Sequence, residues 1–321
     1  MAEIRPPADP WAIPEIPLLA RSAHDRLAAR RTDEEWLAHA WQRPDSRVLL
    51  VSPSGTVAVA GSADEPDLVL LPTARIEASG TRVLLGAVGP TVYFAQLAID
   101  EVAGPGRGGL RWVGLRDIGA RLTDLDVGLL TTAVALGAWH RRHPHCPRCG
   151  ARTEVAQAGW SRVCPTDASE HFPRTDPAVI MLVHDGAGRC VLARGPQWAA
   201  GRMSVLAGFV EAGESAEAAV AREVGEEVGI AVREVRYAGS QPHPFPASLM
   251  LGYTALVQGD PSLRIDGDEI VEAGWFTRDE VRRTVDWDAV GEDGADRRLR
   301  GLPSTMSIAR QLINGWLAGA D

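Results

Sequence analysis

The sequence predicts a mixed α/β protein, in which a β-rich N-terminal α+β domain and a small cysteine-rich module precede a C-terminal α/β domain. Three observations predict this order. Short β-branched and leucine-rich runs fill residues 48–94, three of the four cysteines lie between Cys146 and Cys164, and strand-like runs precede a loop and a helix after residue 175. We therefore expect domains at residues 1–142, 143–174 and 175–321.

The composition is typical of globular domains, because 45% of the 321 residues are hydrophobic and 23% are charged. The formal net charge of −9 argues against a protein that wraps a polyanion, since non-specific nucleic-acid binding needs clustered Lys and Arg. A phosphate-bearing substrate therefore needs a local cation. The chain has no lysine, which excludes chemistry that requires one, such as Schiff-base formation.

The first 20 residues are rich in proline, and we expect them to form an irregular arm. They lack the basic start and the apolar run of a signal peptide. No stretch of the chain approaches the roughly 18 apolar residues of a membrane span. The sequence therefore predicts a cytoplasmic protein without membrane association, in which clustered cysteines suit a metal site better than disulfides.

The N-terminal domain contains five short strand-like runs separated by Gly, Pro, Ser and Asp, which predict an antiparallel sheet. They are residues 48–51, 56–59, 68–71, 81–85 and 91–94. Leucine and alanine at helical spacing then predict a helix over 124–142, which closes the domain.

The C-terminal domain begins with two buried strand patterns, at 178–183 and 189–193, around a turn at Asp185 and Gly186. Cys190 falls within the second pattern and is expected in the core. Further strands are predicted near Val235 and over 249–257, and a C-terminal helix over about 304–317.

A patterned loop and helix occupy residues 208–230. Gly208-Phe-Val-Glu-Ala-Gly-Glu214 is followed, after seven residues, by Arg222-Glu-Val-Gly-Glu-Glu-Val-Gly229-Ile230. Ser215 is a suitable N-cap, the residues after it are helix formers, and Gly229 is a natural helix stop. The segment is identified as a Nudix box, because every defined position of that motif is filled.

Three glutamates of this helix lie on one face, because Glu223, Glu226 and Glu227 are spaced i, i+3 and i+4. Carboxylates this close raise one another's pKa unless a cation lies among them. Ligand sets of oxygen alone favour Mg²⁺ or Mn²⁺ over Zn²⁺. An isolated Glu-x-x-Glu-Glu is more typical of a solvated acidic face, but the flanking glycines, Arg222 and Glu214 favour a metal site.

The chemistry follows from these ligands. Metal ions that bridge a diphosphate neutralise its charge, make phosphorus electrophilic and lower the pKa of a bound water. The helix therefore predicts hydrolysis of a phosphoanhydride. We expect Glu223 and Glu227 to bind metal, and Glu226 either to share the metal or to act as the base. Arg222 is expected to orient the glutamates rather than to contact substrate.

The cysteine-rich segment resembles three-quarters of a zinc ribbon, because Cys146 and Cys149 are followed fifteen residues later by Cys164. The fourth cysteine of a ribbon would stand at position 167, where this chain has aspartate. The candidates for the missing ligand are Asp167, Glu170, His171 and His145. A closed tetrahedral site of this kind would be structural, and the alternative is a module that has lost its metal.

A proline-rich string follows the Nudix box, Ser240-Gln-Pro-His-Pro-Phe-Pro-Ala-Ser248. Together with the box and the ribbon, it resembles the NADH pyrophosphatases of the Nudix superfamily, the NudC family. The likeness covers residues from about 110 to the end. It implies a Nudix α/β/α sandwich that cuts NAD(H) into nicotinamide mononucleotide and AMP and removes NAD caps from RNA. It also implies a homodimer, in which this string completes the neighbouring subunit's pocket.

The resemblance implies a set of site residues. The metal ligands are the three glutamates, a further acidic residue from a later loop and a backbone carbonyl: Glu223, Glu226, Glu227, Glu269 and Ala207. An aromatic pair that stacks on nicotinamide corresponds to Phe172 and Phe209. The remaining substrate contacts, mostly on the adenosine side, correspond to Gln241, His243, Phe245, Ser248, Ala309 and Arg116.

Two positions depart from the family pattern. His243 replaces a tryptophan of the proline-rich string, so stacking area is lost and substrate preference is in doubt. Asp167 replaces the fourth cysteine. Two other functions therefore stay open: a Nudix hydrolase of another dinucleoside diphosphate such as ADP-ribose, and a module that binds NAD without cutting it. The second predicts a damaged Glu223, Glu226 or Glu227, and all three are intact.

Overall fold

The computed structural model describes residues 13, 15–76, 80–97, 111–257, 259, 261–265, 267–287 and 298–319. Most of the predicted N-terminal arm, residues 1–12 and 14, lies outside them. The chain divides into two compact units. One unit comprises Met1–Ala20, Asp176–Pro242 and Ser248–Asp321, and the other comprises Arg21–Thr175 and His243–Ala247.

The unit that begins at Arg21 contains ten strands and three α-helices among its described residues. The strands are β1 Arg47–Val51, β2 Thr56–Gly61, β3 Pro66–Leu68, β4 Leu70–Pro72, β5 Thr81–Val88, β6 Thr91–Leu97, β7 Arg111–Gly114, β8 Glu154–Ala156, β9 Ser161–Val163 and β10 Glu170–His171. The helices are α1 Glu34–Gln42, α2 Leu115–Ile118 and α3 Asp124–Arg142.

The first seven strands form one sheet, in the order β3-β2-β1-β6-β5, with β4 also paired to β1 and β7 to β2. The prediction of a purely antiparallel sheet was wrong, because β1 and β6 pair in parallel from Arg47 beside Tyr93 to Val51 beside Leu97. Hydrophobic alternation shows which face of a strand is buried, but it carries no information about the direction of its neighbour.

The run at 68–71, predicted as one strand, is divided at Val69 between two partners. β3 pairs with β2, whereas β4 pairs with β1. The amide of Val69 donates a hydrogen bond to the carbonyl of Ala58 at 3.1 Å, between the two ladders.

The predicted helix α3 is confirmed at both ends. The side chain of Thr123 caps it by accepting a hydrogen bond from the amide of Asp126. Near its end, His140 Nε2 lies 2.9 Å from the carbonyl of Gly159, and His140 Nδ1 lies 3.0 Å from the guanidinium of Arg162. These contacts join α3 to the cysteine-rich module, whose strands β8, β9 and β10 form a three-stranded sheet.

The other unit contains eight strands and three helices within the described ranges. The strands are β11 Asp176–His184, β12 Arg189–Arg194, β13 Leu206–Phe209, β14 Val232–His243, β15 Ser248–Val257, β16 Glu272–Thr277, β17 Val285–Asp286 and β18 Gly301–Leu302. The helices are α4 Ala216–Val228, α5 Arg278–Arg282 and α6 Ile308–Ala318.

A six-stranded mixed sheet forms the centre of this unit, in the order β14-β15-β11-β12-β16, with β13 paired to β11. Alternate residues of β11 face opposite sides of the sheet. Val179, Met181 and Val183 pack in one cluster with α4, whereas Ile180 and Leu182 pack in another with α6. The unit is therefore an α/β/α sandwich, and the predicted fold class is confirmed.

Two details of this unit refine the predictions. Gly208 and Phe209, predicted as the start of the motif loop, belong to β13, which pairs antiparallel with β11. The C-terminal helix begins at Ile308 after the cap Ser307, four residues later than predicted. Cys190 is fully buried, as expected. None of the helices in the described part of the chain is long and apolar enough to cross a membrane.

Candidate active site and cysteine module

Local signals hold the glutamate helix α4 in place. The Ser215 hydroxyl accepts a hydrogen bond from the amide of Ala218 at 3.2 Å, as predicted for the N-cap. Gly229 ends the helix with φ of 71°, in the left-handed region that glycine tolerates best. A Cβ at Gly229 would also lie 2.9 Å from the Cβ of Arg264.

The apolar face of α4 determines how deep its glutamates lie. Four side chains on this face, Ala219, Val220, Val224 and Val228, are fully buried against the sheet. Glu223 and Glu227 lie at the border of that face and are only 7% and 5% exposed, whereas the side chain of Glu226 is 63% exposed. Two carboxylates therefore lie in a sheltered position and one faces solvent.

Gly208 lies directly against the carboxyl group of Glu223. A Cβ at position 208 would be 1.9 Å from the carboxyl carbon of Glu223 and 2.0 Å from its Oε1. Only glycine leaves space for this carboxylate beside the strand β13. The backbone of the Nudix loop and the first glutamate of the helix thus form one packed site.

Arg222 ties the loop to the helix through five hydrogen bonds. It donates two to the Glu214 carboxylate at 3.0 and 2.9 Å, and one to the carbonyl of Phe209 at 2.9 Å. Its Nη1 bridges Glu223 at 2.8 Å and Glu226 at 3.0 Å. The Glu214 hydrogen bonds are the main reason that the pKa of Arg222 is raised, and Arg222 in turn lowers the pKa of Glu214.

Burial raises the pKa of Glu223, although the Arg222 guanidinium opposes this effect. The charges of Glu226 and Glu269 raise it further. Glu269 lies after the strand β15, in the stretch before β16, and is exposed. The charge of Glu269 therefore acts on Glu223, and its role as a metal ligand stays a prediction.

These donors fit a divalent cation that prefers oxygen, because the site combines carboxylates from one helix with the adjacent backbone at Gly208. The helix carboxylates are not gathered as closely as the cysteines. Within the described residues, the cysteine module is the only place where three or more potential ligand side chains have all their ligand atoms within 4.8 Å of one another.

The cysteine module brings together Cys146, Cys149, Cys164 and Asp167. The sulfurs of Cys149 and Cys164 are 3.4 Å apart, and Asp167 Oδ2 lies 3.6 Å from the sulfur of Cys146. These separations are close to the edge of about 3.8 Å expected for a tetrahedron with Zn–S bonds of about 2.3 Å. The four side chains fit a structural zinc ion.

Ser169 orients this cluster, and sequence reasoning missed it. Its hydroxyl donates to Asp167 Oδ1 at 2.5 Å and lies 3.5 Å from the sulfur of Cys146. The signal in the sequence was the Asp-x-Ser spacing typical of a side-chain turn.

The other candidates for the fourth ligand have different partners. His171 Nε2 lies 3.0 Å from the Ser169 hydroxyl. Glu170 accepts hydrogen bonds from Gln157 and Ser161 at 2.6 and 2.7 Å. His145 forms a β-bridge with Arg152. Among the alternatives considered, only Asp167 joins the three cysteines.

The predicted aromatic pair is exposed, each ring within its own unit. Phe172 is 60% exposed just after β10, and Phe209 is 59% exposed at the end of β13. Large apolar side chains at this level of exposure are available for ligand contact.

Gln241 is 2% exposed in β14, and no donor among the described residues reaches its Oε1. Ala309 is buried in the first turn of α6, and Ser248 is half-buried at the start of β15.

The loop at residues 243–247 packs with the unit that begins at Arg21. The rings of His243 and Phe245 meet edge to face, with their centres 4.9 Å apart. The guanidinium carbon of Arg116 lies 4.1 Å from the centre of the Phe245 ring. Burial first, and then the charge of Arg116, lowers the pKa of His243. The structure thus groups three of the predicted substrate residues.

Family models cover most of the chain in three consecutive segments. The NUDIX domain matches residues 174–293, the NADH pyrophosphatase zinc ribbon domain matches 141–172, and the NADH pyrophosphatase-like rudimentary NUDIX domain matches 37–139. The fold and the glutamate helix therefore define a Nudix hydrolase.

Relatives narrow this class to one family. The chain is 43% identical over 314 residues to the NAD-capped RNA hydrolase NudC of Mycobacterium bovis (strain BCG / Pasteur 1173P2), which covers 94% of this chain and 95% of the relative. The enzyme of the same name from Mycobacterium tuberculosis (strain ATCC 25177 / H37Ra) is 42% identical over the same shares of the two chains. This chain belongs to the NudC family of Nudix hydrolases.

Two more distant similarities were also found. The human NAD-capped RNA hydrolase NUDT12 is 37% identical over 206 residues, which are 61% of this chain and 43% of the relative. A crystal structure of a NUDIX hydrolase from Nitrosomonas europaea covers 41% of this chain and 77% of its own, with 21% identity and a TM-score of 0.36.

Proposed function

We propose that the chain hydrolyses the diphosphate of NAD(H) to nicotinamide mononucleotide and AMP, and that it removes NAD caps from RNA by the same reaction. The glutamate helix carries this proposal. Its sheltered Glu223 lies beside the loop at Gly208, and the equally sheltered Glu227 follows one helical turn later, an arrangement suited to metal-assisted attack on a diphosphate. The relatives named NAD-capped RNA hydrolase support the choice of substrate.

Glu223, Glu226 and Glu227, with Glu269 and the carbonyl of Ala207, would hold Mg²⁺ or Mn²⁺. When bound, the cation neutralises charge on the diphosphate and makes the attacking water more acidic. Arg222 holds Glu223 and Glu226 in position and fixes the loop through Phe209 and Glu214. Glu226, which is exposed and one helical turn from Arg222, either shares the metal or acts as the base.

The substrate contacts are proposed from the family resemblance, and the exposure or polarity of several of these residues supports them. The exposed rings of Phe172 and Phe209 are proposed to stack on nicotinamide. Gln241 presents a buried carbonyl without a donor among the described residues, a feature typical of a ligand contact. His243, Phe245 and Ser248 are proposed to complete the adenosine side, and Ala309 and Arg116 are proposed as further substrate contacts.

Cys146, Cys149, Cys164 and Asp167 are proposed to hold a structural zinc ion, since all four ligand positions of a tetrahedron are then filled by protein. A homodimer, in which the loop at 243–247 completes the neighbouring pocket, is also proposed. A cytoplasmic location and domain boundaries after residues 142 and 174 stay predictions.

ADP-ribose is the second candidate substrate, and His243 marks the altered pocket that keeps it open. This residue stands where relatives with the family signature have tryptophan, and it packs edge to face on Phe245 instead of offering an indole surface. A smaller ring at this position reduces the stacking area available to a dinucleotide.

Turnover of NADH and of ADP-ribose, each with Mg²⁺ and with Mn²⁺, separates the two candidates. We expect a higher kcat/KM for NADH. Equal or better cleavage of ADP-ribose contradicts the NAD(H) assignment. In H243W, the restored indole should improve kcat/KM for NADH by roughly 2- to 10-fold, the range expected for one aromatic stacking contact.

A further inference from the structure

A cavity of about 460 Å³ lies in the unit that begins at Arg21. Its walls come from the last turns of α3, from the start of α2 and from residues 244–246 of the proline-rich loop. Pockets for small ligands span roughly 300–1,000 Å³, so this cavity can hold a nucleotide. It belongs entirely to one compact unit.

The floor of the cavity is apolar. Val51, Leu115, Val134 and Ala138 contribute to it, and Phe245 closes one side. All four of these residues are well buried, with Val51 at 2%, Leu115 at 1%, Val134 at 7% and Ala138 at 7% exposure. An apolar floor beside an aromatic ring suits a nucleobase, which stacks without sequence preference.

The rim of the cavity is strongly basic. Arg116, Arg141 and Arg142 line it, with Asp117 as the one acidic residue. Asp117 Oδ2 already accepts a hydrogen bond from the amide of Gly114 at the start of α2. Among the described residues, none of the three arginines forms an ion pair. In a chain with a net charge of −9, these three arginines provide the local positive charge that a phosphate requires.

The dipole of the helix α3 explains only part of this cluster of three arginines. Arg141 and Arg142 lie in the last turn of α3, where cations interact favourably with the helix dipole. Arg116 belongs to a different helix, and its guanidinium lies over Phe245. Arg141 and Arg142 are adjacent, and each charge disfavours the other. Convergence of two helices on one concave site indicates a ligand that carries negative charge.

We propose that this cavity, the arginine pocket, binds the nucleotide that follows the NAD cap in RNA, with the phosphate at Arg141 and Arg142 and the base on the apolar floor. The inference rests on the proposed function. The loop that forms one wall of the arginine pocket is the same loop that is proposed to line the adenosine of the cap. In capped RNA, a phosphate follows the ribose of that adenosine, whereas free NAD(H) has none there.

The 2′-phosphate of NADP(H) is also an anion on the same ribose, although it is a monoester on the 2′-oxygen rather than a diester on the 3′-oxygen. The arginine pocket favours RNA, because NADP(H) has no second base to occupy the apolar floor. The two sources of phosphate are distinguished by using both in one experiment.

The test compares kcat/KM for an NAD-capped trinucleotide, NADPH and NADH in the wild-type protein and in R141Q/R142Q. We expect the ratio of capped RNA to NADH to fall about tenfold in the variant. The slope of log kcat/KM for capped RNA against log salt should become shallower by roughly 1 to 2, as expected for two lost phosphate contacts. R141K/R142K should retain most of the wild-type ratio, since lysine keeps the charge.

R75Q/R233Q is the matched control, because it removes two exposed arginines that do not line the arginine pocket. An unchanged ratio in R141Q/R142Q, or a loss as large in the control, overturns the inference. A fall confined to NADPH also overturns it. If the wild-type protein cleaves neither NADH nor capped RNA, the proposed function itself fails, which is a separate result. If R141Q/R142Q does not fold, R141K/R142K is used instead. A tenfold fall of the ratio of capped RNA to NADH in R141K/R142K contradicts a charge-based site.

Discussion

The α-carbon of Gly208 faces the carboxyl group of Glu223, and a methyl group on it would lie 1.9 Å from the carboxyl carbon. This contact between Gly208 and Glu223 joins the strand β13 to the helix α4 at the point where the proposed metal site lies. It explains why the loop of the Nudix box begins with a glycine in this chain.

G208A should reduce kcat for NADH by about a hundredfold, because the new methyl group displaces Glu223 by about an ångström or more. The control is G225A, on the same helix, where a Cβ would meet nothing within 4 Å. It should keep full activity and gain up to about 1 kcal/mol of stability from helix propensity. Steady-state kinetics and urea unfolding measure both effects, and equal kinetics in the two variants would falsify the packing argument.

R222Q should lower kcat/KM for NADH and the affinity for Mg²⁺ by about 10- to 100-fold, as expected when a residue that orients metal ligands is lost. Arg222 reaches Glu214, Glu223 and Glu226 in this structure. Lysine cannot replace its bidentate contact with Glu214, so R222K should recover only part of the activity. Activity is measured across a Mg²⁺ titration. Full activity of R222Q at low Mg²⁺ would show that Arg222 does not position the glutamates.

D167A should lower the zinc content, because the structure places Asp167 with the three cysteines. H171A is the matched control, and it should retain zinc, since His171 contacts Ser169 instead. D167C should hold zinc at least as well as the wild-type protein, because thiolate is a preferred zinc ligand. Elemental mass spectrometry after dialysis against a chelator measures the bound metal. Loss of zinc in H171A but not in D167A would contradict the assignment of Asp167 as the fourth ligand.

The stability of the protein should depend on pH through His140. Burial lowers the pKa of His140 from 6.5 to about 4, and Arg162 donates to its Nδ1, a contact that requires the neutral ring. The unfolded state therefore binds a proton that the folded state excludes between these values. The contribution is present above pH 6.5 and is lost as pH falls toward 4, by up to about 3 kcal/mol.

Urea unfolding between pH 7.5 and pH 4.5 checks this expectation. H140Q removes the titrating group, so its stability should fall less steeply than that of the wild-type protein. H39Q, at an exposed position on α1, should follow the wild-type profile. Identical profiles for H140Q and the wild-type protein would exclude His140 as the cause.

The glutamate helix was predictable because its information is local. Ser215 and Gly229 mark its ends, and the spacing from Glu223 to Glu227 determines which side chains share a face. The same holds for α3 and for the buried strands β11 and β12. In each case, the signal lies within one segment of sequence, and the structure follows it.

The remaining features depend on contacts between distant segments. The parallel pairing of β1 with β6 depends on which strand edge the antiparallel pair of β5 and β6 joins. The choice of Asp167 over His171 depends on the turn at Ser169. The arginine pocket joins Arg116 to Arg141 and Arg142 across two helices, and no spacing along the chain predicts that meeting.

The central claim is metal-assisted cleavage of the NAD diphosphate by the glutamate helix. Mass spectrometry of the products from NADH and from NAD-capped RNA tests it most directly, with E227Q beside E217Q, a change at an exposed position of the same helix. We predict the reduced mononucleotide and AMP from NADH, 5′-monophosphate RNA from capped RNA, little product from E227Q and full activity in E217Q. Undiminished cleavage by E227Q, or cleavage at a bond other than the diphosphate, would contradict the assignment.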